Sequence, residues 1–94
     1  MNAKNFDAIV LNKKDNVGTS IKFLKAKSNI ILKIEKKLIN FLLKDNIRLC
    51  HKFSLNLIKK GEKIIKYGEI IGEATINIDK GKHVHIHNIK SLRG

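Results

Sequence analysis

A chain of 94 residues, 43% of them hydrophobic, is sized for one small domain with a modest core, and its apolar share argues against disorder. The formal charge of +12, from 20 Lys and Arg against 8 Asp and Glu, favours anionic partners: nucleic acid, acidic lipid, an acidic protein or a carboxylate substrate. Nucleic acid fits poorly, because every basic residue except Arg48 and Arg93 is a lysine scattered along the chain, with no aromatic interleaving.

The single cysteine, Cys50, excludes an internal disulfide and a Cys-rich zinc site. It is expected to be a small buried hydrophobe in a reducing cytoplasm. No apolar run approaches ~18 residues, and no signal-like apolar stretch follows Met1, so no membrane partner is expected and the location is read as cytoplasmic.

In chain order, Phe6 to Leu11 reads as a first strand, closed by the polar turn Asn12 to Asn16. Val17 to Leu24 alternates enough for a second strand, with Gly18 as a weak point. Residues 28–44 carry two patterns. Ile31, Ile34, Leu38 and Phe41 have helical spacing with Ser28 as a candidate N-cap, and this periodicity slightly favours a helix. The same residues also read as two strands, 30–34 and 39–43, around Glu35, Lys36 and Lys37.

From His51 the strand signal strengthens. Phe53, Leu55 and Leu57 alternate, residues 59–62 turn, 64–67 and 70–78 read as strands, and Asp79, Lys80 and Gly81 turn again. Short strands punctuated by glycine predict one compact β-barrel or sandwich over residues 1–94, with no internal repeat.

The stretch Gly81 to Asn88 holds three of the four histidines. In an extended strand His83, His85 and His87 share one side, ~6–7 Å apart, while Val84 and Ile86 point into a core. Imidazole is the commonest protein metal ligand and titrates near neutral pH, so such a row suits metal binding or proton transfer.

The ordered series His51-Lys52-Phe53-Ser54-Leu55, Lys66-Tyr67-Gly68-Glu69-Ile70-Ile71-Gly72-Glu73-Ala74-Thr75 and His83-Val84-His85-Ile86-His87-Asn88 resembles the SAF domain of the altronate and galactarate dehydratases. It is also similar to the small subunit of sulfolactate sulfo-lyase. Asp15-Asn16-Val17, Leu24-Lys25 and Ser91-Leu92-Arg93-Gly94 extend the match over nearly the whole chain. The resemblance implies a mainly β fold, a compact SAF (β-clip) domain of short bent strands, and so two strands rather than a helix over 28–44. Two departures stand out. Members usually have a Gly-Glu turn after the Leu-Lys match where this chain has Ala26-Lys27-Ser28-Asn29, and Gly where it has Cys50.

The resemblance also implies chemistry. Family members remove water from a sugar acid to give a 2-keto-3-deoxy acid, with iron or another divalent ion. This chain is expected to be the small subunit, acting with a separate large catalytic subunit that holds most of the Fe2+ site. His83, His85, His87 and His51 are the expected catalytic residues, His85 and His87 the expected metal ligands. Lys52, Lys66, Arg93, Asp15 and Asn16 are expected to bind the anionic hydroxy acid, arginine suiting bidentate carboxylate contact. The alternatives are a small subunit of sulfolactate sulfo-lyase and a non-catalytic module that binds anionic sugars.

Overall fold

The structure is a computed structural model that describes residues 5–92. The described residues form nine strands and no helix: β1 Ala8–Val10, β2 Val17–Ser20, β3 Asn29–Ile34, β4 Lys37–Leu42, β5 Lys52–Ser54, β6 Lys63–Lys66, β7 Glu69–Ala74, β8 His83–Val84 and β9 Ile89–Ser91. A six-stranded sheet has the order β4-β3-β1-β2-β5-β8, and a smaller sheet the order β6-β7-β9. This is the mainly β architecture expected of an SAF domain. No helix of the described residues is long and apolar enough to cross a membrane.

Residues 28–44 are two strands, paired antiparallel from Asn29 with Leu42 to Ile34 with Lys37. The period of two prevails over the helical spacing because it buries more. Ile30, Leu32, Phe41 and Leu43 all enter the core, whereas Ile31 and Leu38, which the helical pattern needs inside, are exposed. The hairpin turns at Glu35, whose φ is 54°.

Two cores lie within the fold. One gathers Ala8, Val10, Leu24, Ile30, Leu32, Phe41, Leu43, Ile47 and Phe53, and the other Val17, Ile58, Ile64, Ala74, Ile78 and Val84. Gly18 is not a weak point but the contact surface for Phe53: a Cβ there would meet the Phe53 ring at 2.7 Å.

A local unit recurs that the sequence does not advertise. Leu24 and Ile47 exchange two backbone hydrogen bonds of 2.8 Å, and Ile58 and Ile78 exchange two of 2.9 and 2.7 Å. Each of these four buried residues leads into a turn closed from the next carbonyl: Lys25 to Ser28, Arg48 to His51, Lys59 to Glu62 and Asp79 to Lys82. The third residue of each turn is left-handed, with φ of 67° at Lys27, 67° at Cys50, 91° at Gly61 and 86° at Gly81. A positive φ at that place is the mark of a type II turn, which favours glycine. The two departures from the family's glycines therefore keep the glycine backbone. Cys50 is exposed at its turn and not in the core as expected.

Several predicted strands are shorter than their patterns. β2 stops at Ser20, and β5 covers only Lys52–Ser54, leaving Leu57 exposed. The largest correction concerns the histidine row. β8 ends at Val84, residues 85–88 turn, and Ile86 is 82% exposed and not in a core.

Candidate functional site

The reason the row breaks is Asn88. Its buried side chain accepts the His85 N–H through Oδ1 at 2.9 Å and donates through Nδ2 to the His83 carbonyl at 2.8 Å. These side-chain bonds replace the ladder that an extended strand would need, and they curl residues 85–88 into a loop. The backbone adds Asn88 N–H to His85 O at 3.1 Å.

The fourth histidine arrives from the Arg48–His51 turn. β5 pairs antiparallel with β8, with Lys52 opposite Val84 and Phe53 opposite His83. This register brings His51 against the loop: its ring stacks on His85 at 4.3 Å between centroids and on His83 at 5.1 Å. His51 Nδ1 lies 2.9 Å from His83 Nε2, so one of the pair donates and the other accepts. His87 tilts against His83 at 5.3 Å. All four histidines thus meet, but through a loop after β8 and not as a row on one extended strand.

Burial, followed by the neighbouring His51, His87 and His85, pushes His83 down to about 4, with Asp45 acting in the other direction. Burial, His51, Lys52 and His87 also lower His85. Both imidazoles are therefore neutral near pH 7, with lone pairs free for a proton or a metal. Lys52 is lowered as well, first by burial and then by Lys66, so the two ammonium groups crowd the same neighbourhood. Lys66 also lies over the Tyr67 ring, 4.7 Å from its centroid.

The other expected substrate residues fare differently. Asp15 is buried and accepts the Gly68 N–H at 2.8 Å through Oδ1, while Oδ2 has no hydrogen-bond partner. Asn16 is a strut: Oδ1 accepts the Ile65 N–H and Nδ2 donates to Lys63 O, each at 2.8 Å. Arg93 lies outside the described residues. Two contributors went unread in the sequence. Asp45 Oδ2 accepts the His83 N–H at 2.9 Å, a contact across 38 residues that no local pattern announces. Asn88 could have been found from its place three residues after His85, the reach of a side-chain turn.

The cluster suits a divalent ion. One donor nitrogen each from His51, His83 and His85 lies within 4.8 Å of the others. Imidazole nitrogens bind such ions at about 2.0–2.1 Å, which sets adjacent donors roughly 3 Å apart, and the 2.9 Å between His51 and His83 meets that. His87 stands outside this set, so the three donors that converge are not the pair His85 and His87 read from the sequence.

With strands, turns and cluster in hand, comparison gives the class. The chain belongs to the altronate/galactarate dehydratase SAF domain family, whose model matches residues 6–92. Among curated proteins it is similar to altronate dehydratase of Bacillus subtilis (strain 168), 46% identical over 48 residues, which are 51% of this chain and 10% of that protein. It is also similar to (2R)-sulfolactate sulfo-lyase subunit alpha of Chromohalobacter salexigens, 36% identical over 59 residues, 63% of each chain. The Paracoccus pantotrophus subunit alpha is 42% identical over 50 residues, 53% of this chain and 75% of that subunit. The match thus spans about a tenth of the dehydratase and 63% or 75% of the two alpha subunits.

Proposed function

We propose that this chain is the small component of a cytoplasmic hydro-lyase that removes water from an altronate-type sugar acid, working with a separate large catalytic subunit. The observation that carries this reading is the imidazole cluster of His51, His83, His85 and His87 beside Lys52 and Lys66. The chemical difficulty is twofold: a proton next to a carboxylate is weakly acidic, and hydroxide leaves poorly.

In this reading Lys52 and Lys66 attract the substrate carboxylate and orient it over the cluster. His85, held neutral, can take a proton at a free ring nitrogen. The exposed His87 is the group best placed to deliver a proton to the departing β-hydroxyl. Without an ion, His51 and His83 hold one proton between Nδ1 and Nε2, which a bound ion would displace. A divalent ion such as Fe2+, held on His51, His83 and His85, would act as a Lewis acid on the carboxylate and α-hydroxyl oxygens.

A second reading is favoured by the alpha-subunit relatives, of which this chain matches up to 75% of the length. There the leaving group is sulfite and the substrate sulfolactate. One experiment separates the two. The chain is used to recover its complex from native cell extract, and the complex is assayed for ferrous-dependent loss of altronate and of sulfolactate. A large partner with a keto-acid product from altronate establishes the first reading, and turnover of sulfolactate alone the second. A lone chain without turnover leaves a module that binds anionic sugars.

A further inference from the structure

We propose that the uncovered half of one face of the six-stranded sheet, built on Ile9, Ile31, Leu38 and Leu42, is the seat of the large subunit, which meets it with an apolar surface carrying a carboxylate opposite Lys33. The proposal takes the identity of the partner from the reading above and deepens it by assigning the contact.

Register decides which side chains share this face. Asn40 pairs with Ile31, Lys33 with Leu38 and Ile9, Ile9 with Thr19, Thr19 with Lys52 and Lys52 with Val84. Side chains that pair across strands, or lie two apart along one, share a side. The face therefore runs from Leu38, Leu42 and Ile31 through Ile9 to Val17 and Val84, and the reverse face carries Ile30, Leu32, Phe41 and Phe53 of the first core. At the β2-β5-β8 end it is covered, since Val17 and Val84 enter the second core with Ile64 and Ala74 of the smaller sheet. At the β4-β3-β1 end it is open: Ile31 is 38%, Leu38 53% and Leu42 59% exposed. Leu38 and Leu42 are both diagonal neighbours of Ile31, so these side chains form one patch and not scattered singles. Beside them a cavity of about 430 Å³ is lined by Phe6, Ile9, Ile21 and Lys22.

Charge selects the occupant. Lys33 stands within the patch, its ammonium 5.1 Å from the centroid of the Phe6 ring. Whatever covers the patch covers Lys33, and a covered ammonium needs a carboxylate. The chain's own acids nearby are committed: Asp7 is held by Lys22 at 2.9 Å and accepts the Ile31 N–H, and Glu35 is followed directly by Lys36 and Lys37. A second copy would set lysines against lysines in a chain of net charge +12. An acidic partner meets the same surface with complementary charge. In the dehydratase relative the matched stretch is 10% of the protein, so the rest of that chain is there to cover an open face.

The patch lies at the β4 edge of the sheet and the histidine cluster at the β8 edge, so the contact can be broken without touching an imidazole. The large chain is recovered with the wild-type protein from native cell extract, separated from it and titrated with purified variants. Leu38→Ser combined with Leu42→Ser is expected to weaken binding about tenfold or more. Lys33→Glu is expected to do the same by setting carboxylate against carboxylate, and wild-type binding should weaken as salt is added. Ile70→Ser, which removes a side chain 50% exposed on β7 of the smaller sheet, leaves binding unchanged. Circular dichroism checks that each variant keeps the strand signal, and the isolated wild-type chain should sediment as a monomer.

No large chain recovered, either patch variant binding as the wild type does, or an isolated chain that sediments as a dimer split by Leu38→Ser with Leu42→Ser overturns the proposal. Loss of binding in both patch variants upholds it, and if that complex turns over neither altronate nor sulfolactate, only the dehydratase reading falls. Turnover of altronate by a complex that both variants still join keeps that reading and removes this one.

Discussion

The Nδ1 of His51 and the Nε2 of His83 lie 2.9 Å apart, although 32 residues separate them in the chain. Two neutral imidazoles at this distance share one proton, and two charged ones would repel. The contact therefore ties together the tautomers of His51, just before β5, and His83 in β8, and an ion held by both nitrogens must displace that proton.

Loss of a single imidazole should stop the chemistry without unfolding the domain. His85→Ala removes a half-buried ring from a loop held by Asn88, not a core side chain. Turnover by the recovered complex is expected to fall about 100-fold or more, the scale of a lost acid–base group. Circular dichroism of the isolated variant should keep the wild-type strand signal. A fully active variant would remove His85 from the site.

The metal-free domain should be acid-sensitive in a defined window. His83 titrates at about 4 when folded, below its ordinary value of 6.5, so the unfolded chain binds more protons between those values. This contribution to stability is complete above about pH 6.5 and is lost as pH falls toward 4. Urea midpoints in chelator should decline across that range, and the decline should shrink in His83→Asn.

Asn88 should control the loop. Asn88→Ala leaves the His85 N–H and the His83 carbonyl without their side-chain partners in a partly buried place. The expected cost is about 1–3 kcal/mol of stability. Exchange of the His85 amide with deuterium should accelerate more than exchange in β3, which lies far from the loop in the sheet order. Uniform acceleration of both would mean that Asn88 supports the whole fold and not the loop.

The turn positions should separate by residue type. Lys27 and Cys50 occupy left-handed backbone, which costs a side chain roughly 1–2 kcal/mol. Part of that gain is offset by glycine's freer unfolded state, so Lys27→Gly and Cys50→Gly should each stabilise by about 0.5–1 kcal/mol. Gly81→Ala should do the reverse by about 2 kcal/mol or more, since it adds strain at φ 86° and its Cβ would meet Leu42 O at 2.9 Å. Chemical denaturation of the three variants gives the signs. A destabilised Cys50→Gly would show that the thiol has a packing role.

Much of the site was legible because it is local. His83, His85 and His87 announce themselves by type and spacing, and the motif around Lys66 to Thr75 reads as two strands about a turn, which the structure sets at Tyr67 and Gly68 and not at Gly68 and Glu69. The Lys52 neighbourhood was legible only in part: its position after His51 is local, but Lys66 reaches it from a strand of the other sheet. Asp15 and Asn16 were singled out by resemblance. Their bonds to Gly68, Ile65 and Lys63 show anchoring of the second sheet, a role that no short-range pattern carries.

The sequence by itself determined the strand-rich class, the glycine-marked turns at Gly61 and Gly81 and the identity of the histidines, because alternation, glycine and residue type act over a few residues. Tertiary structure decided the rest. It chose strands over a helix at 29–42, since only the period of two buries Ile30, Leu32 and Phe41 together. It ended β8 at Val84, since Asn88 outbids the ladder for the His85 and His83 backbone groups. It also gathered the donor set from His51, His83 and His85, because the register of β5 against β8 sets which imidazoles meet.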